Sequence, residues 1–438
     1  MSDEPPTPSP GPKAGQDAND EEHQLTDEER MLLEIDQQKE LIDALPDDTS
    51  VDALNRAPHE RKLGQLEFQY QIFVERKRVA RELAKFEEMY GAPYSEPCLL
   101  CLDNIHVHAS ESLMDLLFCC GGFVCAACGQ EVASGTNKCP LCRHPLTASD
   151  ISKDKTQLMK LAERGVSWAQ TSVGKRMMYG LKGFKKQEMA GLKWIKKAAA
   201  QNQPSALYSL SELYRDGLTS VQDKSQDKFK ELLMKSANLG YASANSQLAR
   251  WCLTGGHGFE KDPAEAIFRA TVAHALDASN KPAAMFLGFY LKSEEATELS
   301  PNLACYYLNI AANSEHDDGS ACYFYSNELV KLSKHLHNSQ KNPGFNAQPA
   351  AFFWLRKSRD MGYNDARAVL KEWESVGQRY CGSCSKEARP GEKFKQCSKC
   401  KAQWYCSKEC QVEAWKVGHK KDCKRATILK FEDYLNAE

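Results

Sequence analysis

The sequence predicts a mainly α-helical protein, in which an α-solenoid of helical-hairpin repeats is flanked by two small metal-binding modules and preceded by a disordered N-terminus. Three observations support this fold class. Alanines recur every 37 to 45 residues through the middle of the chain. Fifteen of the 18 cysteines lie in two clusters of closely spaced pairs, one on each side of the repeats. The chain begins with an acidic, proline-rich stretch.

Residues 1–24 are rich in Pro, Ser, Asp and Glu, with almost no large apolar side chains. Such a segment cannot bury enough surface to offset the entropy of ordering, so we expect a disordered tail. It lacks the features of a secretory signal, and the chain has no run of about 18 apolar residues that could span a membrane. These features predict a soluble intracellular protein, cytoplasmic or nuclear and not secreted. The formal net charge of −2 argues against nucleic acid or a membrane surface as its main partner.

A helical segment is predicted over 25–92. Thr26 and Glu29 form a capping-box pattern, which starts a helix by satisfying free backbone amides. A second helical stretch over 59–90 carries apolar residues at three- and four-residue spacing, namely Leu66, Tyr70, Phe73, Leu83, Phe86 and Tyr90. It could form a short coiled coil, but its few heptads favour a helix that packs on the neighbouring metal module.

The repeats are predicted over 155–376. The recurring alanines are Ala169, Ala206, Ala244, Ala283, Ala321 and Ala366. Four residues after them come Val173, Leu210, Leu248, Leu287, Tyr325 and Leu370. Small residues at fixed positions let two helices approach closely, and Gly180, Gly217 and Gly255 are placed to end the helices. A period in the high thirties therefore predicts six stacked helix pairs, because each pair buries its apolar face only against its neighbours.

Short phrases recur ahead of these alanines, as KLAERG at 160–165, KAAAQN at 197–202, KSANLG at 235–240 and KSRDMG at 357–362. They resemble the Sel-1-like repeat, a relative of the tetratricopeptide repeat. The insertion at 331–349 breaks the period, so we expect a loop there.

The C-terminal cluster consists of Cys381, Cys384, Cys397, Cys400, Cys406, Cys410, His419 and Cys423. In a reducing compartment, closely paired cysteines are more often metal ligands than disulfides. Thiolates and imidazole suit zinc, and two complete four-ligand sites leave no position for a catalytic water. We therefore expect two structural zinc ions, which contribute about 10–16 kcal/mol to folding a segment with so small a core.

These residues resemble a MYND zinc finger over 381–423, within a predicted domain at 379–424 that is followed by a tail at 425–438. The resemblance implies that the ligand pairs interleave. One zinc would bind Cys381, Cys384, Cys406 and Cys410, and the other Cys397, Cys400, His419 and Cys423. It also implies binding of short peptides, including proline-containing ones, near Gln403 and Trp404. Trp404 could equally belong to the core of the finger.

The upstream cluster consists of Cys98, Cys101, Cys119, Cys120, Cys125, Cys128, Cys139 and Cys142. It resembles a RING-type finger at 96–147, in which the first and third pairs would bind one zinc and the second and fourth pairs another. Cys119 and Cys120 are adjacent, which departs from the usual RING pattern and requires a constrained backbone. A histidine could replace one of them, with His106, His108 and His144 as the candidates.

The RING resemblance also suggests ubiquitin ligase activity. A RING ligase works by holding and orienting a conjugating enzyme that carries ubiquitin as a thioester. Leu99 and Arg143 lie where family members contact that enzyme, whereas the usual aromatic contact is missing from 129–138.

Two function classes remain. The first is a zinc-binding scaffold that recruits proteins or peptides, and the second is a RING-type ligase that selects substrates through the same modules. A methyltransferase, suggested by the pairing of MYND with SET domains, lacks any motif in residues 1–376. No catalytic residue is predicted, and Cys252, Cys305 and Cys322 lie among apolar repeat residues as core thiols. The order of the modules resembles that of multi-domain proteins from microalgae and related protists.

Overall fold

The computed structural model describes residues 25–46, 50–105, 114–135, 138–145, 151–217, 223–292, 300–314, 318–338 and 346–437. The predicted disordered tail at 1–24 lies outside these residues. The described chain is mainly helical, and its strands form three small antiparallel sheets of two strands each. The predicted fold class, a solenoid of helical hairpins between two cysteine-rich modules, is confirmed.

The N-terminal helices form an antiparallel pair, with α1 at Asp27–Asp43 and α2 at Ser50–Tyr90. The capping box predicted at the start of α1 is present, since Thr26 Oγ1 accepts from the Glu29 amide at 3.3 Å. The Glu29 carboxylate in turn accepts from the Thr26 amide at 2.8 Å. Lys77, far along α2, pairs with Glu28 at 2.6 Å, which places the start of α1 beside the second half of α2.

Twelve helices in the described part of the chain pair into six hairpins. They are α4 (Ile151–Glu163) and α5 (Ser167–Tyr179), α6 (Glu188–Ala200) and α7 (Pro204–Asp216), α8 (Gln226–Asn238) and α9 (Ala242–Thr254), α10 (Pro263–Leu276) and α11 (Lys281–Tyr290), α12 (Pro301–Ala312) and α13 (Ser320–Asn338), and α14 (Gln348–Asp360) and α15 (Asn364–Arg379). All six recurring alanines lie on the second helix of a hairpin and are fully buried, and the residue four later is buried in every case. The predicted repeat therefore reflects close helix packing.

The expectation of a loop over 331–349 is wrong for most of its length. Helix α13 continues to Asn338, and α14 begins at Gln348, so that only 339–345 lie outside the described residues. Leu332, inside the segment expected to be a loop, is fully buried on α13. Its burial continues the apolar stripe of the helix past residue 331, which favours helix over loop there.

The long helix α2 packs on the solenoid, which differs from both arrangements considered for it. Phe86 is fully buried against Phe268 and Val272 of α10. Further along the contact, the Tyr307 hydroxyl of α12 donates to the Glu75 carboxylate of α2. The regularly spaced apolar side chains of α2 therefore pack against the face formed by α10 and α12.

Each cysteine-rich module is a small unit attached to one end of the solenoid. The N-terminal module contains β1 (Glu96–Pro97), β2 (Asn104–Ile105), β3 (Met114–Leu116), β4 (Phe123–Cys125) and α3 (Ala126–Ser134). The C-terminal module contains β5 (Lys395–Gln396), β6 (Trp404–Tyr405), α16 (Lys408–Ala414), a kinked turn at Trp415–His419 and α17 (Lys420–Arg425). It is followed by α18 (Phe431–Asn436), which returns to the solenoid within the predicted tail.

Among the described residues, no helix is both long enough and apolar enough to cross a membrane.

Candidate metal centres

The structure brings the predicted ligands together in four groups of four. Within each group, the sulfur and nitrogen atoms able to bind a metal all lie within 4.8 Å of one another. The groups are Cys98, Cys101, Cys125 and Cys128; Cys119, Cys120, Cys139 and Cys142; Cys381, Cys384, Cys406 and Cys410; and Cys397, Cys400, His419 and Cys423. Both modules thus have the interleaved pairing that the family resemblances imply.

In the first group, backbone amides point at a buried thiol. Burial raises the pKa of Cys98, but the amides of Cys125 and Leu100 donate to its sulfur and lower the pKa to about 6. The two N–S distances are 3.4 and 3.5 Å. A thiol that ionises near neutral pH is already close to the thiolate form that zinc requires.

In the second group, a sharp turn brings the adjacent residues Cys119 and Cys120 to the same centre. The chain turns sharply after Leu117, whose carbonyl accepts from the amides of Cys120 and Gly121 at 3.3 and 2.7 Å. Gly121 has a φ of 88°, which a residue with a side chain rarely adopts. Cys120 Sγ lies 3.7 Å from Cys139 Sγ as a result. His144 has an exposed side chain and lies outside this group, while His106 and His108 fall outside the described residues.

The third group, in the C-terminal module, repeats the arrangement of the first. Burial raises the pKa of Cys381, whereas the amides of Cys384 and Cys406 lower it, and the net value is about 6. Cys406 Sγ lies 3.6 Å from both Cys384 Sγ and Cys410 Sγ. Ser407 caps α16 by accepting from the Cys410 amide at 3.2 Å, which fixes the position of the fourth ligand.

The fourth group is buried at all four positions. His419 Nε2 lies 3.3 Å from Cys397 Sγ and 3.6 Å from Cys400 Sγ, so this ring nitrogen faces the centre of the group. Burial lowers the pKa of His419, which favours the neutral imidazole that binds metal. The donor set, three sulfurs and one nitrogen, suits tetrahedral zinc.

Zinc is therefore the cofactor that these residues fit. Each group offers four protein ligands without a carboxylate, which is the composition of structural zinc sites. Bound zinc would tie distant parts of a short segment together, in modules whose own cores are small. Because the protein ligands complete the tetrahedron, the sites suit a structural role and leave no ligand position for a substrate.

The structure places both candidate peptide-binding residues in the interior. Trp404 is 3% exposed and packs against Phe352 of α14, with the ring centroids 5.8 Å apart. Gln403 is also buried, and its side-chain oxygen accepts from the Tyr405 hydroxyl at 2.7 Å. In this arrangement neither side chain presents an open surface, so the structure favours the alternative interpretation of Trp404 as core.

The C-terminal module is fastened to the solenoid around this tryptophan. The Arg356 guanidinium of α14 donates to the Cys400 carbonyl at 2.8 Å and also to the Lys401 carbonyl. Arg356 thereby holds the loop that carries two ligands of the fourth group. This contact could not be predicted from the sequence, because the partners are separated by more than 40 residues.

The candidate contacts for a conjugating enzyme have different surroundings. Leu99 is half-buried and packs closely against Gly122, whereas Arg143 is exposed and follows the last ligand. Sequence reasoning missed three exposed leucines in the same two ligand loops. Leu102 is 73% exposed and Leu141 is 65% exposed, and Leu100 is exposed beside them.

The fold and the four groups of metal ligands define a helical-repeat protein with two zinc-binding modules. Residues 381–423 match the family model of the MYND finger. An F-box protein of Arabidopsis thaliana is 26% identical over 289 residues, which cover 64% of this chain and 68% of that protein. A SET and MYND domain-containing protein of Dictyostelium discoideum is 45% identical over 60 residues, which cover 13% of this chain and 11% of that protein.

Solved structures of Sel1-repeat proteins are also similar to this chain. A Sel1 repeat protein from Oxalobacter formigenes is 22% identical with a TM-score of 0.42, and the match covers 57% of this chain and 88% of that one. A protective antigen with an SLR fold from uropathogenic Escherichia coli is 19% identical with a TM-score of 0.40. That match covers 64% of this chain and 51% of the antigen.

Proposed function

We propose that the protein is a non-catalytic scaffold, in which the solenoid holds two zinc fingers in fixed positions so that they recruit partner proteins or short peptides. The observation that carries this proposal is the composition of the four metal centres. Each has four protein ligands, and a zinc held by four protein ligands stabilises a small fold rather than activating a substrate.

The junctions between the fingers and the solenoid support the scaffold. At the N-terminal junction, Phe123 of the RING-like module shares a core with Leu158 and Leu161 of α4. The Trp168 indole N–H of α5 also donates to the Gly121 carbonyl at 3.0 Å. At the C-terminal junction, Phe352 and Leu355 of α14 share a core with the finger. Shared buried cores of this kind resist relative motion of the modules.

The MYND finger also carries exposed apolar side chains outside the core that contains Trp404. Val417, in the kinked turn at 415–419, is 77% exposed, and Val412 on α16 is 44% exposed. Trp415 between them is half-buried, and the Lys399 ammonium lies 5.7 Å from the centre of its ring. An exposed apolar surface with an aromatic side chain suits an extended, proline-containing peptide, which loses little conformational entropy on binding.

Peptide binding to the zinc-loaded full-length chain tests this assignment. A panel of labelled proline-containing peptides would be titrated against the wild type, Val417→Lys and Val376→Lys. Val376 is an exposed valine on α15 and serves as the matched control. We expect Val417→Lys to weaken binding at least about tenfold, by removing apolar contact area, while Val376→Lys binds like the wild type. Equal binding by all three proteins would refute the assignment of the peptide-binding surface to the region of Val417.

The exposed leucines favour ubiquitin ligation as a second candidate function. A conjugating enzyme would bind apolar side chains on the two ligand loops of the RING-like module, and Leu100, Leu102 and Leu141 supply them. Autoubiquitination with a panel of conjugating enzymes tests this directly. Chains formed by the wild type and lost in a zinc-loaded Leu99→Ala, Arg143→Ala variant would support the ligase. The absence of chains from fully zinc-loaded protein would favour the scaffold.

A further inference from the structure

Residues 426–437 cross back from the MYND finger and insert between the N-terminal helix α2 and the solenoid. Phe431 and Tyr434 of α18 are almost completely buried in the main core. The Phe431 ring lies edge-on to Phe68 of α2, with the centroids 5.4 Å apart, and 6.3 Å from the ring of Tyr325 on α13. We call the space that these side chains fill the α2–α12–α13 groove.

Side-chain amides in the groove form hydrogen bonds with the backbone of residues 426–437. Asn309 on α12 donates to the Leu429 carbonyl at 2.7 Å and accepts from the Phe431 amide at 3.0 Å. Asn313, one turn later, donates to the same carbonyl at 2.9 Å. Gln65 of α2 donates to the Leu435 carbonyl at 3.2 Å. All four of these hydrogen bonds go to main-chain atoms, which any peptide of the right shape could supply.

The side chains of the segment then define what the groove prefers. The two buried aromatic residues are three positions apart, on one face of a single helical turn. Between them, Glu432 pairs with Arg76 of α2 at 3.4 Å. A six-residue helix is too short to be stable alone, so the helicity of α18 depends on its docking. The contact has the character of a bound peptide: short, anchored by aromatic side chains and held by its backbone.

We propose that the α2–α12–α13 groove is a peptide-binding site that the chain's own residues 426–437 occupy, and that a partner protein displaces them with a segment of the same chemistry. That segment has an extended residue followed by two aromatic residues three positions apart, with an acidic residue between them. Its displacement would free the MYND finger from the tether to α2. The inference deepens the proposed interaction function but concerns a different surface from Val417, so the two can fail separately.

A labelled peptide of residues 426–437 tests the exchange. The receptor is the zinc-loaded full chain carrying Phe431→Ala and Tyr434→Ala, which empties the groove. We expect this variant to bind the peptide at least about tenfold more tightly than the wild type, where the attached segment competes. Adding Asn309→Ala to the receptor should weaken binding at least about tenfold, because Asn309 makes two backbone contacts, one with the Leu429 carbonyl and one with the Phe431 amide. A peptide with Thr427→Ala, at an exposed position, is the matched control and should bind unchanged.

A second measurement covers the case in which the emptied variant misfolds. Excess unlabelled peptide added to the wild type should accelerate hydrogen exchange at the chain's own Phe431 amide as the segment leaves. No binding by a folded variant, or no change in exchange in the wild type, would overturn the proposal. A wild-type dimer that dissociates when Phe431 and Tyr434 are replaced would also overturn it, since the occupant would then be the segment of a second copy.

Discussion

Gly377 should behave unlike an ordinary helical glycine when it is replaced by alanine. It lies on α15 where the finger docks, and a Cβ built there falls within 3.0 Å of Trp404 Cη2 and closer still to two other ring atoms. Carbon atoms in contact normally stay about 3.5–4.0 Å apart. The added methyl group therefore has to push the Trp404 ring out of its present position.

The expected magnitude follows from two opposing effects. Alanine is preferred to glycine inside a helix by about 0.8–1.0 kcal/mol. Overpacking a filled core costs about 1–3 kcal/mol, and Trp404 has little room to move because Phe352 packs against it. We expect Gly377→Ala to lower the stability of the docked finger by up to about 2 kcal/mol. Gly64→Ala on α2 is the matched control, since nothing lies within 4 Å of its Cβ position, and it should stabilise by about 0.5–1 kcal/mol.

Hydrogen exchange under native conditions measures this effect locally, which matters because a multi-module chain need not unfold in one step. The Gly382 amide donates to the Trp404 carbonyl and the Cys397 amide donates to the Gln403 carbonyl, both at 2.8 Å. Their exchange should accelerate in Gly377→Ala and stay unchanged in Gly64→Ala. Slower exchange at these amides in Gly377→Ala would refute the packing of Trp404 against α15.

Two further predictions concern single side chains. Arg356→Gln should speed the transfer of zinc from the MYND finger to a chromogenic chelator about tenfold, because the Cys400 loop loses its charge-assisted hydrogen bonds from the guanidinium. Arg359→Gln is the control, since Arg359 lies on the same helix and pairs with its exposed neighbour Asp360; equal rates in the two variants would contradict this role of Arg356. Burial lowers the pKa of His274 to about 4, so between about pH 6.5 and 4 the unfolded chain binds a proton that the folded chain does not. Stability should therefore fall with decreasing pH in this window by up to about 1.4 kcal/mol per unit. His274→Phe should reduce that slope in urea titrations, and an unchanged slope would be inconsistent with a neutral buried His274.

Features set by local spacing were predictable from the sequence. Ligand pairs separated by two or three intervening residues lie within reach of one metal, and alanines at a fixed period mark close helix contacts, so the repeats and most of the ligand groups could be found by counting. The adjacent pair at Cys119 and Cys120 was harder, because the turn that lets both sulfurs reach one centre depends on Gly121 and on the Leu117 carbonyl.

Contacts between distant segments were not predictable in the same way. The apolar spacing of α2 indicated that one side is buried, but not that α10 and α12 cover it. Trp404 was equally compatible with a peptide surface and with a core, and its partner Phe352 is some 50 residues away. The tail at 425–438 carried one usable signal, the three-residue spacing of Phe431 and Tyr434, which is typical of one buried helical face.

The central claim is that the chain carries four closed zinc centres that build its binding surfaces. Native mass spectrometry of the purified full-length protein counts them in one measurement. We expect four zinc ions per chain, with the thiols of all four cysteine groups protected from alkylation until a chelator is added. Two zinc ions per chain, with the cysteines of one module open to alkylation, would contradict the account.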